Sequence, residues 1–307
     1  MKPLIPVYSE PFADPFVWRH EGCYYAVATS PTGPDGRQFA LLKSDDLMNW
    51  QKLGWALEPV DLMFGDAYWA PEVACHNGKF YLYYSVGHGH KAHHIRVAVS
   101  DRPEGPYADT GNPLTDLAKL PFAIDGSPFQ DDDGQWYLFY ARDFLDTEDG
   151  QRAGTGLAID RLIDMTRLAG EEKTVARARY DWQMYMANRP MYDGVYDWHT
   201  LEGPVVRKHA GKYYCFYSGG CFQNDTYGVD YVLADSVMGP YCPVNDCARV
   251  LRSIPGRLIG PGHNSIVTGP DGKDRIVYHA WDEAHTGRRM HISELAWTPD
   301  GPKAVLD

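Results

Sequence analysis

Short runs of apolar and aromatic residues, each entered through a polar turn with a glycine, recur five times along the chain. The runs are EGCYYAVATS, NGKFYLYYSVG, DGQWYLFYARD, AGKYYCFYSGG and DGKDRIVYHAW, and their turn glycines are Gly22, Gly78, Gly134, Gly211 and Gly272. A tight hairpin turn needs a positive φ, which glycine adopts without steric cost, so a polar-Gly step between two strand-like runs predicts a β-hairpin. The pattern therefore predicts five hairpins.

A second apolar run follows each hairpin, and the resulting repeat units are similar in length. Successive turn glycines are 56, 56, 77 and 61 residues apart. Each interval is long enough for a four-stranded antiparallel sheet and a loop, without a long amphipathic helix. Five such units predict an all-β fold, a five-bladed β-propeller that spans residues 1–307 as a single domain. A β-sandwich with regularly spaced turns is the alternative.

The longest interval contains an insertion at 180–200, with the sequence YDWQMYMANRPMYDGVYDWHT. The segment is rich in aromatic residues but lacks the alternation of apolar and polar positions that is typical of strands. We therefore predict a loop over one face of the protein, not an additional blade.

Composition and charge narrow the choice of partner. The formal net charge of the 307 residues is −12 at pH 7, which disfavours binding to nucleic acids and to anionic membranes, because both attract basic patches. Aromatic residues make up 13% of the chain, and they suit both strand-rich cores and surfaces that stack on sugar rings. A neutral small molecule or polymer is therefore the easier partner, and the oligomeric state stays open.

The N-terminal sequence MKPLIPVYSEPFADPF lacks a basic segment followed by an apolar one, and no apolar stretch approaches the length of a membrane span. We therefore expect a cytoplasmic protein, secreted only if a leader precedes this sequence. The six cysteines form no CxxC pair and are expected to be mainly reduced thiols. Cys242 and Cys247 are close enough for a local disulfide if the protein is exported.

The first strand of each unit carries chemically useful side chains at one shared position. Counting back eight or nine residues from the turn glycines reaches Asp14, Trp69, Asp125, Glu202 and His263. Unit two also offers Glu72, six residues before its glycine. The first strands of propeller blades line the central channel, so these side chains are expected to meet at one mouth of it.

Three carboxylates that meet in one place repel one another and are partly desolvated, which raises the pKa of at least one. Such perturbed groups cluster at functional sites. A neutral carboxyl that acts as a general acid, beside an ionised one that acts as a base or nucleophile, can cleave a glycosidic bond. Each acid taken singly is better explained as a turn or cap residue, but the shared position favours the catalytic interpretation.

The sequence resembles glycoside hydrolase family 43, and the resemblance runs through all five units. It is carried by ADPFVWRHEGCYYAVAT, YWAPEVACHNGKFYLYYS, AIDGSPFQDDDGQWYLFY, LEGPVVRKHAGKYYCFYSGG and GHNSIVTGPDGKDRIVYHAW, in this order. The resemblance implies a five-bladed propeller that hydrolyses arabinose- and xylose-containing saccharides with inversion. At the matching positions it implies that Asp14 is the general base, Glu202 the general acid, and Asp125 the carboxylate that orients the acid and modulates its pKa.

These roles carry two further expectations. Inversion requires room for a water molecule, so the Asp14 and Glu202 carboxyls are expected to be roughly 6.5 to 9.5 Å apart. The pKa of Glu202 is expected to be raised, chiefly by partial burial and by Asp125.

Five residues are candidates for substrate binding, namely Glu72 of unit two and four further residues. Trp69 either stacks on the sugar, as the resemblance implies, or belongs to the core. Arg288 and Arg289 can form bidentate hydrogen bonds with sugar hydroxyls or hold a carboxylate ionised. Strand alternation turns only one of the two inward, and Arg289 is favoured. His199 either reaches the site from the insertion or lies at the surface.

The resemblance also implies a calcium ion in the channel, with His263 as a ligand and water molecules completing the shell. A lone histidine would not by itself predict a metal site, since zinc needs three or four N or S ligands. The histidines of GHGHKAHHIRV (87–97) are predicted to lie in a solvated hairpin loop or at the rim of the substrate site. DDDG (131–134) is predicted to be a polar hairpin turn, not a calcium loop.

The implied family contains β-xylosidases, α-L-arabinofuranosidases, endo-arabinanases and galactan-cleaving enzymes. The segments 87–97, 141–156 and 180–200 are long enough to close one end of a pocket, which favours release of terminal xylose or arabinofuranose by an exo-acting enzyme. The alternatives are an endo- or exo-arabinanase, a retaining fructosidase from a related five-bladed group, and a non-catalytic sugar-binding propeller.

Overall fold

A computed structural model describes residues 3–306, which form 22 β-strands and three single-turn 3-10 helices, and this part of the chain contains no α-helix. The prediction of an all-β fold is confirmed. The 3-10 turns cover Leu62–Phe64, Glu148–Gly150 and Asp181–Gln183.

The strands form four sheets. Within a sheet, most neighbouring strands are antiparallel, and most follow one another in the chain. The first sheet contains β1 (Ala13–His20), β2 (Cys23–Thr29), β3 (Gln38–Ser44) and β4 (Gln51–Leu57). The second contains β5 (Ala67–His76), β6 (Lys79–His88), β7 (Lys91–Ser100) and β8 (Ala108–Pro113).

The third sheet is the largest, with ten strands. Its first half contains β9 (Ala123–Gln130), β10 (Trp136–Phe144), β11 (Gly154–Asp164), β12 (Arg167–Leu168) and β13 (Lys173–Ala176). Its second half contains β14 (Met184–Met191), β15 (Gly194–His209), β16 (Lys212–Gly219), β17 (Gly228–Ala234) and β18 (Leu251–Arg252). A short parallel pairing of β11 with β15 joins the two halves.

The fourth sheet contains β19 (Ile259–Thr268), β20 (Asp274–Trp281), β21 (Arg288–Thr298) and β22 (Gly301–Val305). We number the repeat units one to five by their first strands, β1, β5, β9, β15 and β19. Each of these strands contacts the first strand of the next unit, and β19 contacts β1. The five first strands are therefore neighbours in a cycle.

The hydrophobic core lies between successive units, not inside one sheet. Five clusters of buried residues each join two neighbouring units, including one cluster that joins unit five to unit one. In that last cluster, Val17 and Ala26 of unit one pack with Val267 and Val277 of unit five. Burial of these apolar side chains from water is the main force that holds the units together.

The five predicted hairpins are present, and each connects the first and second strands of its unit. Three of them have two-residue turns in which both residues have positive φ, such as Glu21 and Gly22 at 47° and 87°. This is the turn type that matches the twist of the flanking strands.

The insertion at 180–200 differs from the predicted loop. It contains the strand β14 and the start of β15, which pair as an antiparallel hairpin. The pairing register shifts twice along β14, so its side chains do not alternate regularly, and this irregularity conceals the strand in the sequence.

Within residues 3–306 no helix is long and apolar enough to cross a membrane. All six cysteines are free thiols, and Cys242 and Cys247 are both exposed.

Candidate active site

A single pocket collects side chains from all five units. Its wall contains the acids Asp14, Asp125 and Glu202, together with Trp69 of unit two and His263 of unit five. The remaining lining residues are Thr29, His90, Phe122, Ile124, Thr155, Tyr185, Arg189, Trp198, Thr200, Phe222 and Arg288. The wall thus combines five aromatic residues with a small set of charged groups.

A β-bulge at the same place in each first strand aims these side chains into the pocket. The pairing with the second strand shifts there in every unit, and one residue adopts a positive φ. These residues are Asp14, Ala70, Asp125, Gly203 and His263, with φ of 52°, 44°, 58°, 57° and 47°. Bulges re-aim side chains, and a positive φ at residues other than glycine is uncommon and concentrates at functional sites.

Asp14 is buried among basic groups. Its Oδ1 lies 3.1 Å from the Arg288 guanidinium and 3.4 Å from His263 Nδ1. Burial is the largest single influence and raises the pKa of Asp14, but the charge of Arg288 and smaller contributions from the neighbouring histidines together outweigh it and hold the pKa well below its usual range. Asp14 is therefore ionised at neutral pH.

His279 accepts a hydrogen bond from the backbone of Asp14 and carries no charge. The backbone N–H of Asp14 donates to His279 Nδ1 at 3.0 Å, so this nitrogen has a lone pair and the ring is neutral. Burial, followed by the nearby Arg288, lowers the pKa of His279 to about 3. The neutral ring agrees with that shift.

Glu202 has the opposite protonation state. Its pKa is raised to about 7. Burial is the main cause and the charge of Asp14 adds to the rise, whereas a hydrogen bond from Tyr227 and the charge of Arg288 oppose it. The Tyr227 hydroxyl donates to Glu202 Oε1 at 2.6 Å. The expected rise is confirmed, with burial as its main cause, but the carboxylate that adds to it is Asp14 and not Asp125.

Asp125 is held by the backbone on both sides. Its own N–H donates to Ser85 Oγ at 2.9 Å, and its Oδ2 accepts the N–H of Gly203 at 2.9 Å. Burial, followed by the charges of Glu202 and Asp14, raises the pKa of Asp125 well above its usual range, although the hydrogen bond from Gly203 opposes this. The pKa shifts of Asp14 and Asp125 are therefore opposite in direction.

Aromatic rings form the wall that faces these acids. Trp69 stacks on the buried ring of His93, with centroids 3.6 Å apart. The stack supports one face of Trp69 and leaves the residue at the pocket wall. The histidine-rich hairpin is therefore less solvated than expected: His90 lines the pocket, and His93 and His94 are buried.

Three predicted substrate-binding residues lie outside the pocket wall: Glu72, His199 and Arg289. Glu72 is buried, and burial, followed by the charge of Asp125, raises its pKa well above the usual range, although a hydrogen bond with Ser127 opposes the rise. His199 is also buried, and its Nδ1 contacts the backbone oxygen of Asp197 at 2.9 Å. These two predictions were wrong because proximity in sequence did not correspond to orientation toward the pocket.

The preference for Arg289 over Arg288 was also wrong. Strand alternation does separate the two side chains, but it is Arg288 that reaches Asp14, while Arg289 pairs with Asp282 at 2.9 Å. Alternation shows that adjacent residues face opposite ways, and only the pairing with β20 determines which of them faces the pocket.

Sequence reasoning missed Tyr227 and Arg189. Tyr227 is one of 21 tyrosines, precedes an ordinary strand and has no distinguishing motif. Arg189 lies in the insertion that was predicted to be a loop. Its guanidinium packs over the rings of Tyr185 and Trp198, at 5.0 Å and 5.3 Å from their centroids.

His263 is the predicted metal ligand. Within residues 3–306 no three His, Cys, Asp or Glu side chains are grouped so that they could hold a metal ion. His263 lies in the pocket wall, and both side-chain polar atoms of the adjacent Asn264 are buried without a hydrogen-bond partner among the described residues. These groups fit a hydrated cation that takes few protein ligands, but not a protein cage.

The site therefore combines an ionised carboxylate, a carboxyl that keeps its proton to about pH 7, and aromatic faces suited to a sugar ring. A carboxylate can remove a proton from water, and a protonated carboxyl can donate one to a leaving oxygen. This is the chemistry that acetal hydrolysis requires.

Comparisons with known proteins agree with this chemistry. The model of the family Glycosyl hydrolases family 43 matches residues 3–302. A beta-D-galactofuranosidase of Aspergillus niger is 29% identical and covers 89% of this chain and 75% of its own length. A xylosidase/arabinosidase of Bacteroides ovatus is 27% identical and covers 97% of this chain and 95% of its own.

A solved structure is also similar over most of its length. The crystal structure of a thermostable family-43 glycoside hydrolase aligns with a TM-score of 0.83 and 29% identity, covering 97% of this chain and 93% of that one.

Proposed function

This chain belongs to family 43 of the glycosyl hydrolases, and we propose that it is an inverting, exo-acting enzyme. Its products are terminal pentoses, β-D-xylose or α-L-arabinofuranose, which it releases from oligosaccharides derived from hemicellulose or pectin. The observation that carries the proposal is the contrast between Asp14, ionised beside Arg288, and Glu202, protonated to about pH 7 in the same pocket.

We propose further that residues 1–307 form one five-bladed β-propeller. The cycle of contacts among β1, β5, β9, β15 and β19 supports this architecture. The five core clusters between successive units support it as well.

Hydrolysis would proceed in one displacement. A water molecule attacks the anomeric carbon and gives its proton to Asp14, while the bond from that carbon to the leaving oxygen breaks. Glu202 donates its proton to that oxygen, and exchange with solvent restores both groups. Arg288 and His263 both approach Oδ1 of Asp14, and Oδ2 would be the oxygen that takes the proton of the water.

Tyr227 supports the role of Glu202 as the acid. Its hydroxyl occupies Oε1, so Oε2 is the oxygen that carries the transferable proton. A fixed donor on one oxygen also restricts rotation of the carboxyl, and correct orientation of a catalytic group lowers the barrier.

Two hairpins support exo-action. The β14–β15 hairpin contributes Tyr185, Arg189 and Trp198 to the pocket wall, and the turn between β6 and β7 contributes His90. Walls built from such extra segments favour a pocket that accepts one chain end over an open groove.

The sugar itself is the least constrained part of the proposal. The two relatives have names that refer to different sugars, galactofuranose in one and xylose and arabinose in the other. A galactofuranoside is therefore a necessary substrate in any test beside the two pentosides.

We also propose that a calcium ion binds at His263, with water molecules as most of its ligands and the Asn264 side-chain oxygen as a second candidate ligand. A bound cation would supply positive charge near Asp14 and favour its ionised form.

A release assay tests these proposals together. The substrates are the p-nitrophenyl glycosides of β-D-xylose, α-L-arabinofuranose and β-D-galactofuranose, and linear arabinan, each with and without EDTA. We expect release from a pentoside, little attack on arabinan, and a loss of rate with EDTA that calcium restores.

Other results would change the assignment. No release from any substrate, together with measurable sugar binding, would favour the non-catalytic sugar-binding protein. Preferred internal cleavage of arabinan would favour an endo-arabinanase, and unchanged rates in EDTA would remove calcium from the account.

A further inference from the structure

The five bulges share a second feature, which is the way their backbone N–H groups are satisfied. In four units the N–H of the bulge residue donates to a side chain on the second strand of the preceding unit. The pairs are Asp14 with His279 Nδ1 at 3.0 Å, Ala70 with Thr29 Oγ1 at 2.8 Å, Asp125 with Ser85 Oγ at 2.9 Å, and His263 with Ser218 Oγ at 2.7 Å. Each bulge is thus locked to its neighbouring unit.

The four acceptors occupy one equivalent position. Each pairs across its hairpin with the residue just before the bulge of its own unit: Thr29 with Ala13, Ser85 with Trp69, Ser218 with Glu202, and His279 with Gly262. In unit three the residue before the bulge is Ile124, and its partner is Ala141. This is the only one of the five equivalent positions without an acceptor, all five lying within residues 3–306.

The missing acceptor changes the hydrogen bond at the next bulge. The N–H of Gly203 finds no side chain at position 141 and donates to Asp125 Oδ2 instead, at 2.9 Å. A buried N–H group is costly to leave unpaired. Because position 141 offers no acceptor, the Gly203 amide pairs with the Asp125 carboxyl group instead. Gly203 directly follows Glu202, and the bond therefore ties Asp125 to the residue that carries the proposed acid.

We propose that Ala141 is a positioning residue: because it offers no acceptor, the Gly203 amide holds the Asp125 carboxylate against the backbone of Glu202. The consequence for catalysis rests on the proposed function, in which Glu202 is the acid. The choice of hydrogen-bond acceptor by the Gly203 amide does not depend on that function.

The surroundings of Ala141 allow the exchange. Ala141 is fully buried and packs in one cluster with Ile124 and with Leu201 of β15. Its Cβ is therefore on the side that faces unit four, as the Ser85 side chain faces unit three. A hydroxyl added there would meet the same kind of amide that Ser85 and Ser218 already bind.

Gly203 itself cannot readily be replaced to make the same test. Its φ is 57°, and a Cβ at this position would approach the His263 ring to 3.2 Å. Position 141 is the better site for substitution, because it alters the acceptor and leaves the bulge intact.

The test compares Ala141→Ser with Ala141→Cys, which has similar size but a much weaker acceptor. We expect Ala141→Ser to lower kcat about tenfold or more, which is part of the rate enhancement that general acid catalysis supplies. KM should stay within about twofold of the wild type. The alkaline limb of its pH profile should also move. Ala141→Cys should behave like the wild type, and equal behaviour of the two variants would overturn the proposal.

A second measurement does not depend on activity. In the wild type, the Gly203 amide resonance should follow the titration of Asp125 in ¹H–¹⁵N spectra, and in Ala141→Ser this dependence should become smaller, leaving that of the adjacent Glu202. A wild-type resonance without pH dependence would refute the hydrogen-bond assignment, whereas absence of hydrolysis alone would refute only the proposed function. If Ala141→Ser does not fold, Ala141→Thr with Ala141→Val as its isosteric control repeats the comparison, since Thr29 occupies the equivalent position in unit one.

Discussion

Asp14 and Asp125 are the same residue type at equivalent places, but their pKa values are shifted in opposite directions. Both occupy a bulge in the first strand of a unit, with φ of 52° and 58°, and their exposed fractions are 8% and 4%. Nevertheless the pKa of Asp14 lies well below its usual range and that of Asp125 well above it.

The neighbours account for the difference. Asp14 has the Arg288 guanidinium at 3.1 Å, whereas the charged groups that act on Asp125 are the carboxylates of Glu202 and Asp14. Burial acts in the same direction on both and cannot separate them. The repeated backbone thus supplies the position of each acid, and the side chains from other strands determine its charge.

The largest effects are expected from removal of the two proposed reacting groups. Asp14→Asn should lower kcat/KM by about 10³-fold or more on every glycoside, because water then lacks its base. Glu202→Gln should lower it comparably on a disaccharide but much less on a p-nitrophenyl glycoside, whose leaving group needs little proton assistance. Steady-state kinetics on both substrate types measure this difference.

The opposite pattern of kcat/KM losses would exchange the roles of Asp14 and Glu202. If Asp14→Asn spared the p-nitrophenyl substrate and Glu202→Gln did not, Asp14 would be the acid. Equal small losses in both variants would contradict the catalytic assignment altogether.

A smaller effect is expected from removal of Arg288, the charged neighbour that distinguishes Asp14 from Asp125. Arg288→Met should raise the pKa of Asp14, so that activity is lost at a higher pH as the solution is acidified. We expect the acidic limb to move upward by about one or two units of pKa, which lowers kcat/KM roughly ten- to a hundredfold at a pH below both limbs. The pH profile of kcat/KM measures the displacement of the acidic limb.

Arg289→Met is the matched control, since Arg289 pairs with Asp282 and lies outside the pocket wall. Its profile should keep the acidic limb of the wild type. An acidic limb that moves in Arg289→Met and not in Arg288→Met would contradict the proposed cause of the low pKa of Asp14.

The smallest effect is expected at Tyr227. Its hydrogen bond lowers the pKa of Glu202, which burial raises to about 7. Tyr227→Phe should therefore raise that pKa, and the alkaline limb of the kcat/KM profile should move upward by up to about one unit. Tyr217→Phe, which removes a buried hydroxyl bound to Asp230, is the control. A downward shift in Tyr227→Phe would contradict the role of the hydrogen bond.

The repeat could be predicted from sequence because its signal is local. A turn glycine beside a strand-like run depends on adjacent residues only, and all five hairpins are where the pattern placed them. The count from the glycines also reached Asp14, Asp125 and His263, which are bulge residues. In unit four it reached Glu202, one residue before the bulge at Gly203, because the count cannot detect which residue adopts the positive φ.

The neighbours of the acids could be predicted only in part, since they come from other parts of the chain. Arg288, 274 residues from Asp14, was a candidate partner of a carboxylate, but the sequence favoured Arg289. Tyr227, 25 residues from Glu202, has no local pattern that marks it. The irregular register of β14 likewise removed the alternation by which a strand is recognised. The position of the proposed catalytic groups is thus encoded locally, whereas their charge is encoded by long-range packing.

The stereochemistry of the first product tests the central claim most directly, namely that Asp14 activates water and does not attack the sugar. Proton NMR of the anomeric signal during early hydrolysis of a p-nitrophenyl pentoside distinguishes the two mechanisms before mutarotation. We predict that the sugar appears first with the anomeric configuration opposite to that of the substrate. A product that first appears with retained configuration would contradict the account, because it would require a covalent intermediate on a carboxylate.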